Sequence, residues 1–545
     1  MMGQMMQRPL QVIELLRYGA EIFPEAGLVS ALCEGGRHRQ SYPETLARTA
    51  QLAHGLAGLG IVPGDRVATL AWNTHRHFEL YYATAGMGAV VHTINPRLSP
   101  EQMLYVIGHA GDAAICADLT FVPILEALAP QLPEGIRLIV MTDRAHMPDS
   151  PLDLICYEEL LAGQPETYHW PETDENAAIG LCYTSGTTGH PKGALYSHRS
   201  TVLHAFAITL ALRSSLTEGA RILPVVPMFH VNAWGLPYSA PLAGASLVMP
   251  GPGLAGDALW ELMNEEEVTS AWGVPTVWLG LQAEIARRGG NPKGFSQVVI
   301  GGSAASRAMI ERFETAGVSV CHAWGMTEMS PVGTHGILNA AMQALPLDDR
   351  LNLQAKQGRR VFGCEMKIID ADGAPLPHDG TSVGELHVRG NTIISGYFAN
   401  DAATSEAFDA EGWLATGDVA TLDPQGFLSI QDRAKDLIKS GGEWISSIDL
   451  ENCAMAHPGV ANCAVIAVPH PKWDERPLLV VVPDGDDRPV LSEFHDLMQT
   501  RFAAWQMPDD LVFAEDLPLT ATGKVSKRQL RARFAEYTHP DLRKG

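Results

Sequence analysis

Apolar and polar positions recur along this chain in two periods, helical and extended, and the two alternate. Between residues 43 and 59, Leu46, Ala50, Ala53, Leu56 and Leu59 fall on one helical face, and Gly60 ends the run. Pro63-Gly64-Asp65 then turns the chain into a short apolar stretch, 66–70, which reads as a strand. A further helix and a strand at 89–94 follow. Ser99-Pro100-Glu101-Gln102 is a capping box with proline at the first helical position. Strands near 113–116 and 136–141 continue the alternation, which predicts a largely parallel sheet.

A second α/β stretch runs from about 201 to 324, with strand-like pieces at 221–226, 246–249, 270–272, 297–300 and 318–322. Residues 340–360 are polar and read as a long loop. After them, 365–369 and 384–389 suggest antiparallel strands, with turns at Asp372-Gly373 and Asp379-Gly380. Beyond Arg433 the helices and strands are shorter, at 448–456, 460–468, 478–482 and 492–501. The expected fold is α/β, with a large N-terminal domain over 1–431 and a small α+β domain over 433–545.

Composition narrows the function. An apolar share of 46% over 545 residues supports two or three cores. Acidic residues outnumber basic ones, 62 to 39, which argues against nucleic acid or an anionic membrane as a general partner. A polyanionic ligand would need local cations, and basic residues do cluster late in the chain. No apolar run approaches the roughly 20 residues of a membrane span, and the start, MMGQMMQRPLQ, lacks a signal-peptide core. Eight scattered cysteines without CxxC or zinc spacing read as reduced thiols of a cytoplasmic protein.

The run YTSGTTGHPKG, Tyr183 to Gly193, combines hydroxyls, glycines and Lys192 after an apolar strand predicted at 177–182. Backbone N–H groups and hydroxyls in such a loop can surround phosphate oxygens, at the place where an α/β sheet offers a phosphate site. Its spacing is not that of a Walker loop. Four more segments follow in order: PMFHVNAWG (227–235), GGSAAS with WGMTE (301–306, 324–328), GWLATGD through DRAKDLIKSGGEWIS (412–446), and PLTATGK (518–524). Together these resemble the adenylate-forming superfamily: acyl-CoA synthetases, peptide-synthetase adenylation domains and firefly-type luciferases.

The resemblance implies a two-step reaction, in which ATP and Mg²⁺ activate a carboxylic acid and CoA then takes the acyl group. It adds a distorted β-barrel to the large domain, a hinge at Asp432 and a mobile small domain. Thr184, Ser185, Gly186, Thr187, Thr188, Gly189 and Lys192 would cradle phosphates, and Thr184 and Glu328 would contact the metal. Gly302, Ser303, Ala304, His322, Ala323, Trp324 and Thr327 would form the adenine slot, Trp324 offering a stacking face. Asp418 would take the ribose hydroxyls and Arg433 the ribose or phosphate. Lys524 would bridge the attacking carboxylate and the α-phosphate, making it the main catalytic residue, with Glu328 and His230 beside it. Rotation of the small domain would replace Lys524 by Lys435, Lys439, Gly441, Gly442 and Trp444. Taken alone, Asp432 could equally be a loop residue paired with Arg433.

By the same resemblance, His230 to Trp234 line the acyl route, and FHVNAWG lacks the Asp that holds an amino-acid substrate. The likeness is strongest to bacterial medium-chain fatty-acyl-CoA synthetases and methylmercaptopropionyl-CoA ligases, through WGMTEMSP, SGGEWISS and HPKWDERPLL. It implies an aliphatic acid and a homodimer. Lys472, Trp473 and Arg476 are candidates for the CoA phosphates on charge alone. Rival readings are an enzyme loading an acyl carrier protein, a luciferase-like monooxygenase and a non-catalytic binder. The last would be expected to lack Lys524, Glu328 or the glycine loop.

Overall fold

The computed structural model describes residues 1, 3–184, 190–441, 443–485, 488–520 and 524–540. Its first sheet has seven strands. Leu154–Cys156, Arg137–Val140, Asp112–Ala117, Arg66–Leu70, Val90–Thr93 and Ala178–Tyr183 lie side by side and parallel. Gly193–Ser197 adds an antiparallel edge. Helices enter this sheet where capping chemistry predicts. The Ser41 hydroxyl accepts from Glu44 N and the Glu44 carboxylate accepts from Ser41 N, starting helix Tyr42–Gly58. Ser99 and Gln102 do the same for Pro100–Ala110, which ends at Gly111 with φ 65°.

The second sheet has thirteen strands. Its parallel part contains Gly27–Ala31, Ser246–Met249, Arg221–Pro224, Ser270–Gly273, Gln297–Ile300 and Ser319–Gly325, with Arg37–Ser41 antiparallel at the edge. The N-terminal hairpin that joins this sheet was outside the sequence reading. From Ser319–Gly325 the sheet continues as antiparallel strands Val332–His335, Gly358–Arg360, Phe427–Arg433, Leu414–Leu422, Gly384–Gly390 and Cys364–Ile369. The expected distorted barrel is thus an open antiparallel extension, and the described strands close no barrel. The stretch 340–360 is not a loop either. It holds helices Ala340–Gln343 and Leu347–Ala355 and strand Gly358–Arg360. Leu351 and Gln354 are buried there among exposed polar residues, an amphipathic signal too sparse to register as periodicity.

The third sheet lies wholly beyond Arg433. Ile438–Ser440, Glu443–Ile445, Asp474–Pro483 and Val460–His470 pair antiparallel, and Asp510–Phe513 joins Asp474–Pro483 in parallel. Helices Ser447–Ala454, Leu491–Met498 and Lys527–Arg533 accompany it. Its apolar core, with Leu479, Val481 and Phe494, is its own. Among the described residues, no helix is long and apolar enough to cross a membrane. All eight cysteines are free thiols.

Candidate active site

The site gathers where the carboxyl ends of parallel strands meet the antiparallel extension and the loop before helix Lys527–Arg533. Thr184 leaves strand Ala178–Tyr183. Its N–H donates to the Lys192 carbonyl at 2.8 Å, and its Oγ1 accepts from Lys192 N at 3.4 Å. Ser185 to Gly189 lie outside the described residues. The Lys192 ammonium sits 5.0 Å from the Tyr397 ring centroid, and the Tyr397 hydroxyl donates to Glu328 Oε1 at 2.8 Å. Tyr397 was missed in the sequence because GYFAN reads as an ordinary aromatic turn.

Glu328 is buried in a short turn after strand Ser319–Gly325. Burial raises its pKa, while the Tyr397 bond and the charges of Arg433 and Lys192 pull it down. A buried carboxylate facing cations but not ion-paired is suited to a further cation. Thr327 is also buried, its carbonyl accepting from the Tyr196 hydroxyl at 2.7 Å.

Asp418 is 3% exposed. Its Oδ2 accepts from Trp324 Nε1 at 2.9 Å and its Oδ1 is 2.9 Å from Arg433 Nε. Burial raises its pKa, and Arg433, the Trp324 bond and Lys524 oppose the rise. Each oxygen retains a second acceptor direction. The Arg433 guanidinium also donates to the Thr416 carbonyl at 3.2 Å. Its ion pair is therefore with Asp418 and not with Asp432. Asp432, at the end of strand Phe427–Arg433, accepts from both the Ser447 N–H, at 2.8 Å, and the Ser447 hydroxyl.

Lys524 reaches into this cluster from the small unit. Burial and Arg433 push its pKa down to about 8, with Asp418 opposing and Lys435 assisting. A methyl group added at Gly302 would lie 3.5 Å from Lys524 Cε and 3.9 Å from Trp234 Cζ2. Gly302 has φ +81°, so the absent side chain and the left-handed backbone together let Lys524 approach. Trp234 closes the other side: a methyl at Gly301 would meet its Cη2 at 3.0 Å. Trp234 is carried by a left-handed turn in which Val231, Asn232, Ala233 and Trp234 all have positive φ, between 44° and 57°. His230 precedes that turn, and burial and the Lys524 charge draw its pKa to about 3.

The remaining expected residues divide. Ala323 is buried, with its carbonyl 2.9 Å from where a Gly301 Cβ would stand, and Ser303 and Ala304 follow Gly302 on the loop surface. His322 is committed to backbone: Nε2 accepts from Ala305 N at 3.3 Å and Nδ1 lies 3.1 Å from the Ala355 carbonyl. It props the glycine loop from behind. Lys435 is exposed, in the field of Arg433. Lys439 and Trp444 pair across the hairpin of the third sheet, and Gly441 donates to the Trp473 carbonyl at 2.9 Å. None of the described contacts joins these three to the Lys524 cluster. Gly442 lies outside the described residues. Arg476, read as a phosphate candidate, is buried and spent on Asp509, Ser440 and the Trp505 and Met507 carbonyls.

A half-buried lysine, an Asp–Arg pair, a glycine–tryptophan wall and a buried glutamate thus gather in one cluster. The AMP-binding enzyme model matches residues 19–398, and the AMP-binding enzyme C-terminal domain matches 449–524. The chain belongs to the AMP-binding enzyme family. It is 48% identical to a 3-methylmercaptopropionyl-CoA ligase of Ruegeria lacuscaerulensis, over 98% of this chain and 99% of that one. It is 46% identical to a medium-chain-fatty-acid–CoA ligase of Ectopseudomonas oleovorans, over 98% of each. The fold superposes on an anthranilate CoA ligase in complex with anthranoyl-AMP with a TM-score of 0.85, at 22% identity, covering 97% of this chain and 98% of that one.

Proposed function

We propose that this AMP-binding enzyme is an ATP-dependent acyl-CoA ligase acting on an aliphatic carboxylic acid, either medium-chain or short, such as 3-methylmercaptopropionate. One observation carries the reading: Lys524 is half-buried beside Asp418 and Arg433, against Gly302 and Trp234. A carboxylate oxygen attacks the α-phosphorus of ATP, and pyrophosphate leaves. Lys524 neutralises charge shared by the attacking carboxylate and the phosphoryl oxygens, and Arg433 adds to that field. Asp418 holds the ribose and Trp324 the base. His230 and Trp234 bound the acid. CoA then takes the acyl group, and AMP leaves.

Thr184 and Glu328 would hold Mg²⁺. Both offer hard oxygens, and Glu328 is a buried carboxylate without a direct ion pair, which fits a cation that keeps water and phosphate in its shell. When bound, the ion supplies charge neutralisation on the leaving phosphates. The same reading divides the chain into 1–431, a hinge at Asp432 and 433–545. It also has the enzyme act in the cytoplasm as a homodimer, which light scattering of the purified protein tests.

Acid-dependent exchange of labelled pyrophosphate into ATP tests the first step. Exchange with octanoate or 3-methylmercaptopropionate, cut about 10²-fold or more in Lys524→Ala, is expected. Exchange without acid, or exchange untouched by that substitution, contradicts the assignment. The second reading, loading of an acyl carrier protein, would show exchange and AMP release but no acyl-CoA.

A further inference from the structure

One buried ionisable pair stands apart from the Lys524 cluster. His92, in strand Val90–Thr93, has Nδ1 at 2.9 and 3.0 Å from the two carboxylate oxygens of Asp112, which opens strand Asp112–Ala117. Both side chains are fully buried. The other ring nitrogen, Nε2, has no hydrogen-bond partner. Thr93 Oγ1, on the next residue, is likewise buried without a hydrogen-bond partner, and both residues line one small cavity, so two unpaired polar atoms stand at one place. The space beside it is a cavity that His92 shares with Tyr183, Thr184 and His230. His92, with Asp112 behind it, therefore borders the cavity that reaches His230, whose ring feels the Lys524 charge.

The two half-reactions differ in proton demand. A carboxylate attacks ATP without losing a proton. A thiol has a pKa of about 8.5 and at pH 7 is mostly protonated, so it needs a base. We propose that His92, oriented by Asp112, is the general base of the thioester-forming step. Its Nε2 takes the CoA thiol proton through one water, which is what the small cavity beside it can hold. The sulfur attacks the carbonyl carbon of the acyl-adenylate, a C–S bond forms, the C–O bond to the phosphate breaks, and AMP leaves with the electron pair. The proton stays on the imidazole, beside the Asp112 carboxylate, until solvent takes it. His230 is poorly suited to the role: it faces the Lys524 charge, and no described contact gives it a carboxylate.

The inference rests on the ligase reading. The groups facing the dyad are Arg66, near Asp112; Tyr183, whose ring centroid is 5.1 Å from that of His92; His109, bonded to the Tyr183 hydroxyl at 2.7 Å; and His230 across the cavity. Cys182 lies on the adjacent strand.

The test separates the half-reactions in His92→Gln and Asp112→Asn. Acid-dependent pyrophosphate exchange should stay within about twofold of wild type in both, which also reports an intact fold. Thioester formation from acyl-adenylate and CoA should fall about 10²- to 10⁴-fold in His92→Gln at pH 7. That deficit should shrink as pH rises past about 8.5 and the thiol ionises by itself. Asp112→Asn should show a smaller loss in the same step. Capture of the acyl-adenylate by hydroxylamine, which needs no base, should be unchanged. Thioester formation at the wild-type rate, a deficit that ignores pH, or an equal loss in both steps would overturn the proposal. Wild-type protein that forms acyl-adenylate but no thioester would instead remove the ligase reading and this inference with it.

Discussion

Lys524 shows how burial and charge set one group's working range. Removed from water and placed beside Arg433, it holds its proton less tightly, with a pKa of about 8. The cationic form is the one that stabilises the transition state, so activity should be present below that pKa and fall as pH rises through it. The kcat/KM for ATP, which reports the free enzyme, should decline above about pH 8. Lys524→Arg should move the decline upward, because guanidinium stays charged. Lys524→Ala should cost adenylation about 10²-fold or more and spare thioester formation from supplied acyl-adenylate. Gly302→Ala probes the same contact from the other side. Its methyl would meet Val274 at 3.0 Å and Lys524 at 3.5 Å, on a backbone at φ +81°. Pyrophosphate exchange should drop, with about 1–2 kcal/mol of strain in the fold, read as a lower Tm.

Among the elements, the left-handed turn at 231–234 departs most from ordinary backbone. Each non-glycine residue there costs roughly 1–2 kcal/mol relative to the right-handed region, and such strain is held where surrounding packing fixes it. Here it sets Trp234 against Gly301 and Gly302. Ala233→Gly should keep or raise Tm, since glycine tolerates positive φ, while Ala233→Val should lower it. If both changed Tm alike in differential scanning calorimetry, the turn would not be strained as described. This turn also marks what the sequence did not reveal. FHVNAWG shows residue types but not handedness, because strain imposed by tertiary packing leaves no local pattern. The capping box at Ser99 and the strand at Arg66–Leu70 were legible because their signals are local. The pairing of Gly27–Ala31 with Ser246–Met249 was not, since it joins distant segments.

At the scale of the molecule, a charge network links the end of the large domain to the segment behind Lys524. Asp432 bonds Ser447, the Lys527 ammonium donates to the Ser447 hydroxyl, and Lys527 pairs with Glu451 at 2.7 Å. Burial opposes the Lys527 charge, yet Glu451 and Asp432 raise its pKa overall. Removing one partner of this part-buried pair leaves the other poorly paired, at roughly 1–3 kcal/mol. Lys527→Met should therefore lower the unfolding midpoint and weaken adenylation through a misplaced Lys524, and Lys527→Arg should restore both. The sequence supplied the residues of the site, but not which would meet. It left a loop pair of Asp432 with Arg433 open as an alternative, where the structure pairs Arg433 with Asp418, and offered Arg476 as a ligand residue where the structure buries it as a strut. Those choices depend on strand register, which single residues do not encode.

The most direct test is mass-spectrometric detection of acyl-CoA and AMP from purified protein with ATP, Mg²⁺, CoA and straight-chain acids from acetate to palmitate, plus 3-methylmercaptopropionate. The account predicts stoichiometric acyl-CoA and AMP, with one peak of rate at medium chain length or at the short sulfur acid, and a rate lower by about 10²-fold or more from Lys524→Ala. AMP release without acyl-CoA for every acid would contradict it.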